Sequence, residues 1–162
     1  MLFRSGNTCV LKPSELTPLS ILRLASLLEE AGLPPGTVNV VNGRGEVTGA
    51  ALAASANIDR IAFTGRGSTA QTVMAAAAKN LTGVNLQLGS KSANIIFDDA
   101  DLDRAVDGAL VNAFSNSGQI CVAGSRILVQ RSLAERFIRQ FIERTNALKV
   151  GDPFDADTEI GP

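Results

Sequence analysis

The sequence contains no histidine, no tryptophan and no tyrosine. Without histidine there is no Ser-His-Asp triad, Cys-His dyad or imidazole proton shuttle, and no metal site is expected. Aromatic residues are 4% of the 162 residues, all of them phenylalanine. Alanine, leucine and valine must therefore fill most of the core. Cysteine occurs only at Cys9 and Cys121. Two distant thiols in a chain without a recognisable signal peptide read as reduced, which excludes a disulfide framework and predicts a cytoplasmic location. Met1 to Gly6 are too soon interrupted to be a signal-peptide core. No run approaches the ~20 apolar residues a bilayer span needs, so no membrane partner is expected. A surplus of charge is also missing. Lys plus Arg is 15 and Asp plus Glu is 16, a net charge of −1. That excludes the basic footprint of a nucleic-acid binder and favours a small-molecule partner.

What is present is globular. Hydrophobic residues are 45% and charged residues 19%, and a chain of this size buries roughly 68–70% of its unfolded surface if it folds alone. Short β-type runs alternate with helical spacing. Thr8 to Leu11 is a strand stopped by Pro13. Thr17 is the expected N-cap of a helix with Pro18 in its first turn, running to Gly32. Thr37 to Val41 is a strand and Gly45 to Ser55 a helix. Asp59 to Phe63 is a strand and Ser68 to Lys79 a helix. Such alternation predicts βαβ units and a parallel sheet. Val84 to Leu88 adds a strand. The pattern changes near Leu88–Lys91, where a second domain is expected. It holds a strand at Ala93 to Phe97 and a helix capped by Asp101, with Leu102, Ala105, Val106, Ala109, Leu110, Ala113 and Phe114 on one face. A strand follows at Arg126 to Gln130. Ser132 to Glu135 reads as a capping box opening a helix to about Leu148. The expected organisation is thus α/β, with residues 1–88 as one domain and 89–162 as part of a second α/β domain.

Several segments carry chemistry. Gly43-Arg44-Gly45 with Gly49, and Gly65-Arg66-Gly67, are strand-to-helix turns. Helix N-termini bind phosphate because unpaired N–H groups and the dipole converge there. Neither turn is the full G-x-G-x-x-G fingerprint, and tight turns alone explain the first. Arg66 adds a charge that suits a phosphate. Lys12 and Glu15 flank Pro13-Ser14 at the C-terminal end of the first strand, the edge where open α/β sheets bind ligands. Glu15 suits a ribose diol; a solvated turn is the plainer reading. Cys121 lies in Gly118-Gln-Ile-Cys-Val-Ala-Gly124, between glycines that let a substrate approach. Lacking a histidine, a nucleophilic Cys121 needs backbone donors or a helix terminus; a buried structural thiol is the competing reading. Cys9 reads as core. Gln87 can hydrogen-bond but cannot take a proton.

These segments together resemble the aldehyde dehydrogenase superfamily. The matching motifs are Gly6 to Glu15, Gly32-Leu-Pro-Pro-Gly36, Phe63-Thr-Gly65, Leu88-Gly89 with Lys91-Ser92, Asn94 to Phe97, Asp99 to Asp103, Gly118-Gln119 with Cys121, and Gly151-Asp-Pro-Phe154. The resemblance covers nearly the whole chain. It implies a Rossmann-like parallel sheet of the aldehyde dehydrogenase type, followed by the start of a catalytic domain. It implies an oxidoreductase that acts on an aldehyde, with NAD, or NADP, as acceptor. Cys121 matches the nucleophile, which forms a thiohemiacetal and then a thioester, with its own N–H as an oxyanion donor. Lys12, Ser14 and Glu15 match the adenosine-ribose segment, and the carboxylate favours NAD over NADP. Phe63, Thr64, Gly65 and Arg66 match the turn beside the pyrophosphate. Leu88 and Gly89 match cofactor contacts.

The departures also carry implications. The family usually has Glu, the base that activates water, where Gln87 stands, and Gly where Ser90 stands. Arg66 replaces a frequent Ser and Ala70 a frequent Gly. The resemblance further implies an internal piece of the family's chain. The Asn that completes the oxyanion hole is expected before Met1, and a second Glu and the oligomerisation strand after Pro162. Weak or no activity is therefore expected of this chain, and homo-oligomers only of the parent family. The alternatives are a non-catalytic nucleotide-binding or interaction module, and an acylating relative in which coenzyme A resolves the thioester.

Overall fold

The computed structural model describes residues 6–162. The chain divides into two compact units, Met1–Leu86 and Gln87–Pro162. Both alternate strand and helix, as an α/β chain does.

In the first unit, β1 (Cys9–Leu11) leads to α1 (Leu19–Glu30) and then β2 (Val38–Val40). β1 and β2 pair in parallel, Cys9 with Val38 and Leu11 with Val40. Pro18 is already helical at φ −84°, and its carbonyl accepts the Leu22 N–H at 3.1 Å. Its missing N–H costs nothing in the first turn. The expected Thr17 cap does not form, since no side chain caps this helix. Ser14 shapes the entry instead. Its carbonyl accepts the Thr17 N–H at 3.2 Å and its hydroxyl the Leu16 N–H at 3.3 Å. Gly32 ends α1 at φ +85°, where L side chains are disfavoured. The Gly32 N–H donates to Glu29 and the Leu33 N–H to Leu28, at 2.9 and 3.0 Å. That is a Schellman closure.

A π-helical turn (Gly45–Gly49) runs into α2 (Ala50–Ala53). β3 (Arg60–Gly65) pairs with β4 (Gly83–Leu88), and α3 (Gly67–Ala78) lies between them in sequence. Among the described residues, the buried hydrophobics of this unit are Ala53, Ala70 and Ala77. Small side chains let helix and strand backbones approach closely.

The second unit has a larger core. β5 (Ala93–Ile96) pairs in parallel with β6 (Arg126–Val129), in register Ala93 with Arg126 to Ile96 with Val129. α4 (Leu102–Phe114) and α5 (Arg131–Ala147) complete it. Asp101 caps α4 as expected, accepting the Arg104 N–H at 3.2 Å. Ile96, Val106, Ala109, Leu110, Leu133 and Phe137 are buried together. The ring of Phe141 lies 6.1 Å from that of Phe114 and 5.6 Å from that of Phe137. Arg144 on α5 bridges the carboxylates of Asp103 and Asp107 on α4.

The Ser132–Glu135 capping box is not formed. α5 begins at Arg131 without a side-chain cap. The Ser132 hydroxyl donates instead to the Asp98 carboxylate at 2.8 Å, beside Gln130 Nε2 at 2.7 Å. With Gln130 at the N-cap position, Ser132 already lies inside the first turn, where it cannot cap. Among the described residues, no helix is long and apolar enough to cross a membrane.

Candidate functional site

Two groups of residues hold the side chains singled out from the sequence, one in each unit. In the first unit, Lys12 leaves the end of β1 with its side chain only 17% exposed. Its Nζ donates to the Pro13 carbonyl at 2.6 Å and to the Gly43 carbonyl at 3.0 Å. The Glu15 carboxylate lies 3.6 Å from Nζ. Its pKa is lowered by its own backbone N–H. The Lys12 charge and the Gly45 N–H add to this and outweigh partial desolvation. The carboxylate is thus held ionised yet open to solvent. Ser14 turns its hydroxyl back to the Leu16 N–H and shapes the same bend.

The Gly43 turn, which sequence reading left as an ordinary turn, closes this corner. Gly43 sits at φ +150°, and a Cβ there would lie 2.0 Å from Thr48 Oγ1, so no side chain fits. A Cβ on Gly49 would meet Lys12 Cδ at 3.5 Å, so the lysine stem passes over that glycine.

Phe63, Thr64 and Gly65 lie in the last half of β3, which runs two residues beyond the expected end at Phe63. The Phe63 ring folds over Gly65, where a Cβ would come within 2.6 Å of Cζ. Arg66 is extended at ψ 149°, and α3 starts at Gly67. The first turn of α3 carries no acidic residue and no side-chain cap. Its leading N–H groups and the positive end of its dipole are therefore suited to an anion, beside the exposed Arg66.

In the second unit, Gln87 and Leu88 end β4, and Gly89 and Ser90 follow, all exposed. Cys121 follows α4 through a bend that L residues adopt reluctantly. Asn116 at φ 53° and Ser117 at φ 55° are left-handed, and Gly118 follows at φ 71°. Each non-glycine residue there costs roughly 1–2 kcal/mol. The bend is held by the Gln119 N–H on the Asn116 carbonyl at 3.0 Å, and by Ser117 Oγ on the Gly161 carbonyl at 2.8 Å.

The Ala123 N–H then closes a turn on the Ile120 carbonyl at 3.1 Å, with Cys121 and Val122 at its centre. Ser90 Oγ donates to the Cys121 carbonyl at 2.8 Å. Gly124, buried, donates to Asn112. The Cys121 thiol is exposed. A groove of about 460 Å³ is lined by Val111, Asn112, Ile120, Val122 and Ala123, and Cys121 is not part of its lining. Cys9 is half-buried, and that burial pushes its thiol pKa up. The two thiols thus differ in their exposure.

Asn112 escaped sequence reasoning, and the bonding of Ser90, Ser92 and the Gly43 turn was not foreseen. Ser90 and Asn112 reach partners 31 and 12 residues away, and no local period marks such a pairing. The one available signal was Gly124 itself, a glycine just before a strand, which marks close backbone approach.

Residues 2–162 match the model of the aldehyde dehydrogenase family. The chain is 52% identical over 158 residues to retinal dehydrogenase 2 of Gallus gallus, covering 97% of this chain and 30% of that protein. It is 51% identical over 159 residues to an aldehyde dehydrogenase of Emericella nidulans, covering 98% of this chain and 32% of that protein. A betaine aldehyde dehydrogenase from Staphylococcus aureus, solved in complex with NAD+, superposes with a TM-score of 0.89 at 46% identity, over 97% of this chain and 31% of its own. The chain thus spans about a third of the length of the relatives it matches.

Proposed function

The chain belongs to the aldehyde dehydrogenase family, and from that premise we propose that it carries the nucleophile and part of the dinucleotide site of an NAD-dependent aldehyde dehydrogenase. The observation that carries this reading is the exposed Cys121 thiol in a turn clamped by Ser90 and Asn112, at the family's nucleophile position. In the same reading, residues 1–88 serve the dinucleotide and residues 89–162 the thiol.

The first unit fits the cofactor. Glu15, kept ionised, accepts from the ribose diol, and Lys12 holds the corner to which Glu15 is fixed. Ser14 shapes that bend. Phe63, Thr64 and Gly65 lead to an uncapped helix start, where Arg66 would pair with a bound pyrophosphate. Leu88 and Gly89, in the second unit, are assigned to the cofactor by the family resemblance alone. Bound NAD supplies the hydride acceptor.

Cys121, as thiolate, attacks the aldehyde carbonyl carbon. The carbon–oxygen double bond becomes a thiohemiacetal oxyanion, stabilised by the Cys121 N–H. Loss of hydride from that carbon leaves an acyl thioester on Cys121. Water then releases the acid and regenerates the thiol. By the family resemblance Gln87 holds the position of the base that would take the proton from that water, and an amide does not take it. The thioester therefore persists, and turnover of this chain is weak.

The test is NADH formation from NAD and propanal, read by absorbance alongside the intact mass. The account expects at most one NADH per chain with an acyl mass added. Sustained turnover, or no acyl adduct, contradicts it.

Gln87 also favours a second reading, in which an external thiol such as coenzyme A attacks the thioester carbonyl and Cys121 leaves as thiolate. No base need then act on water. Loss of the acyl mass on adding coenzyme A, but not in buffer, identifies that route.

A further inference from the structure

Ser90 stands in the connection between β4 and β5, and its side chain is exposed. Its hydroxyl donates to the Cys121 carbonyl at 2.8 Å. Its oxygen lies 2.7 Å from Ser92 Oγ. With the Ser90 proton committed to the carbonyl, Ser92 is the donor of that second bond. The Ser92 carbonyl in turn accepts the Arg126 N–H, where the β5–β6 ladder begins. The chain of bonds therefore runs from an anchored strand end, through two hydroxyls, to one carbonyl in the cysteine's turn.

That carbonyl belongs to the central peptide of the turn, between Cys121 and Val122. Rotation of this peptide changes ψ of Cys121, and with it the backbone from which the thiol projects. The turn's own closing bond, Ala123 to Ile120, fixes the two ends of the turn but not the central peptide. A hydrogen bond to the central carbonyl does fix it. Glycine, which the family resemblance predicts at position 90, has no hydroxyl to donate.

We propose that Ser90 is a positioning residue for Cys121, locking the central peptide of its turn through the bond to the Cys121 carbonyl. The inference rests on reading Cys121 as the nucleophile, but the bond is testable without any aldehyde.

The experiment compares the full chain with Ser90→Ala and Ser90→Thr. It reads amide deuterium exchange over Ile120–Gly124 and the rate of Cys121 alkylation by iodoacetamide, resolved by peptide mass spectrometry. Protection of Ala93–Ile96 reports that each variant is folded. A net hydrogen bond corresponds to a change of roughly 2- to 10-fold in local opening. In Ser90→Ala, exchange over the turn and alkylation of Cys121 should both rise by about that factor, with Ala93–Ile96 unchanged. Ser90→Thr, which keeps the hydroxyl, should restore both. An unchanged turn in Ser90→Ala overturns the proposal. So does a Ser90→Thr that behaves like Ser90→Ala, because side-chain loss rather than hydrogen bonding would then be responsible. Protection of Cys121 by aldehyde is scored separately. Its absence in every variant, the unsubstituted chain included, defeats the nucleophile reading and leaves the Ser90 readouts to stand or fall by themselves.

Discussion

Gly124 offers its N–H to Asn112 twice, to the backbone carbonyl at 3.3 Å and to the side-chain Oδ1 at 3.1 Å. A Cβ on Gly124 would lie 2.3 Å from Asn112 Nδ2 and 3.2 Å from Asn94 Cβ. The turn that carries Cys121 is thus pinned to α4 at a point with no room for a side chain. Gly124→Ala should lower stability by about 1–3 kcal/mol, the usual range for forced overpacking. Asn112→Ala should lower it by roughly 0.5–1.5 kcal/mol, since one bond is lost and space is gained. The double variant should cost less than the sum of the two. Urea denaturation of all four proteins checks this, and strict additivity would show that the two sites do not share a contact.

In the proposed dinucleotide corner, Glu15 should set both the pH dependence and the cofactor preference. Its folded pKa lies below the ordinary 4.5. The stabilisation from its ionised form is therefore fully present above about 4.5 and is lost as the pH falls through the lower, folded value. Glu15→Gln should flatten the acid limb of the stability curve. By removing a negative charge that a 2′-phosphate would meet, it should also narrow the preference for NAD over NADP several-fold. Titration of both dinucleotides against both proteins reads this directly.

Much of this was legible before any coordinates. The strand and helix order followed from apolar spacing and from punctuation such as Pro18 and Gly32. The Asp101 cap held because a short carboxylate before an apolar stripe has few other uses. The Ser132 box failed because α5 starts at Arg131, which puts Ser132 inside the first turn rather than at its cap. Its hydroxyl goes to Asp98, 34 residues away, a partner no local pattern announces. The thiol was visible as Cys121, but the groups that hold its turn were not, since Ser90 and Asn112 act through tertiary proximity alone.

The two thiols should separate by their burial. Burial raises the Cys9 pKa above the ordinary 9.0. Its neutral form is the one the fold accommodates, so its contribution to stability is present below about 9 and falls as the pH rises past it. Alkylation with peptide mapping should show Cys121 modified well before Cys9 at neutral pH. Equal rates would place Cys9 outside the strand packing described for it.

On the proposed reading, Gln87→Glu should supply a proton acceptor at the end of β4. An acyl group placed on Cys121 by an activated ester should leave faster in this variant, by the 10²–10⁴-fold typical of general-base catalysis where the rest of the site is in place, and less otherwise. Acyl mass followed over time measures the rate. The rise should show a pH dependence that the unsubstituted chain lacks.

The most direct measurement is alkylation of Cys121 in the presence and absence of an aldehyde. With NAD present, propanal should slow modification of Cys121 in proportion to its concentration and leave Cys9 unaffected. A Cys121 that reacts at one rate whether or not aldehyde is present would contradict its role as nucleophile and favour a nucleotide-binding module without catalysis.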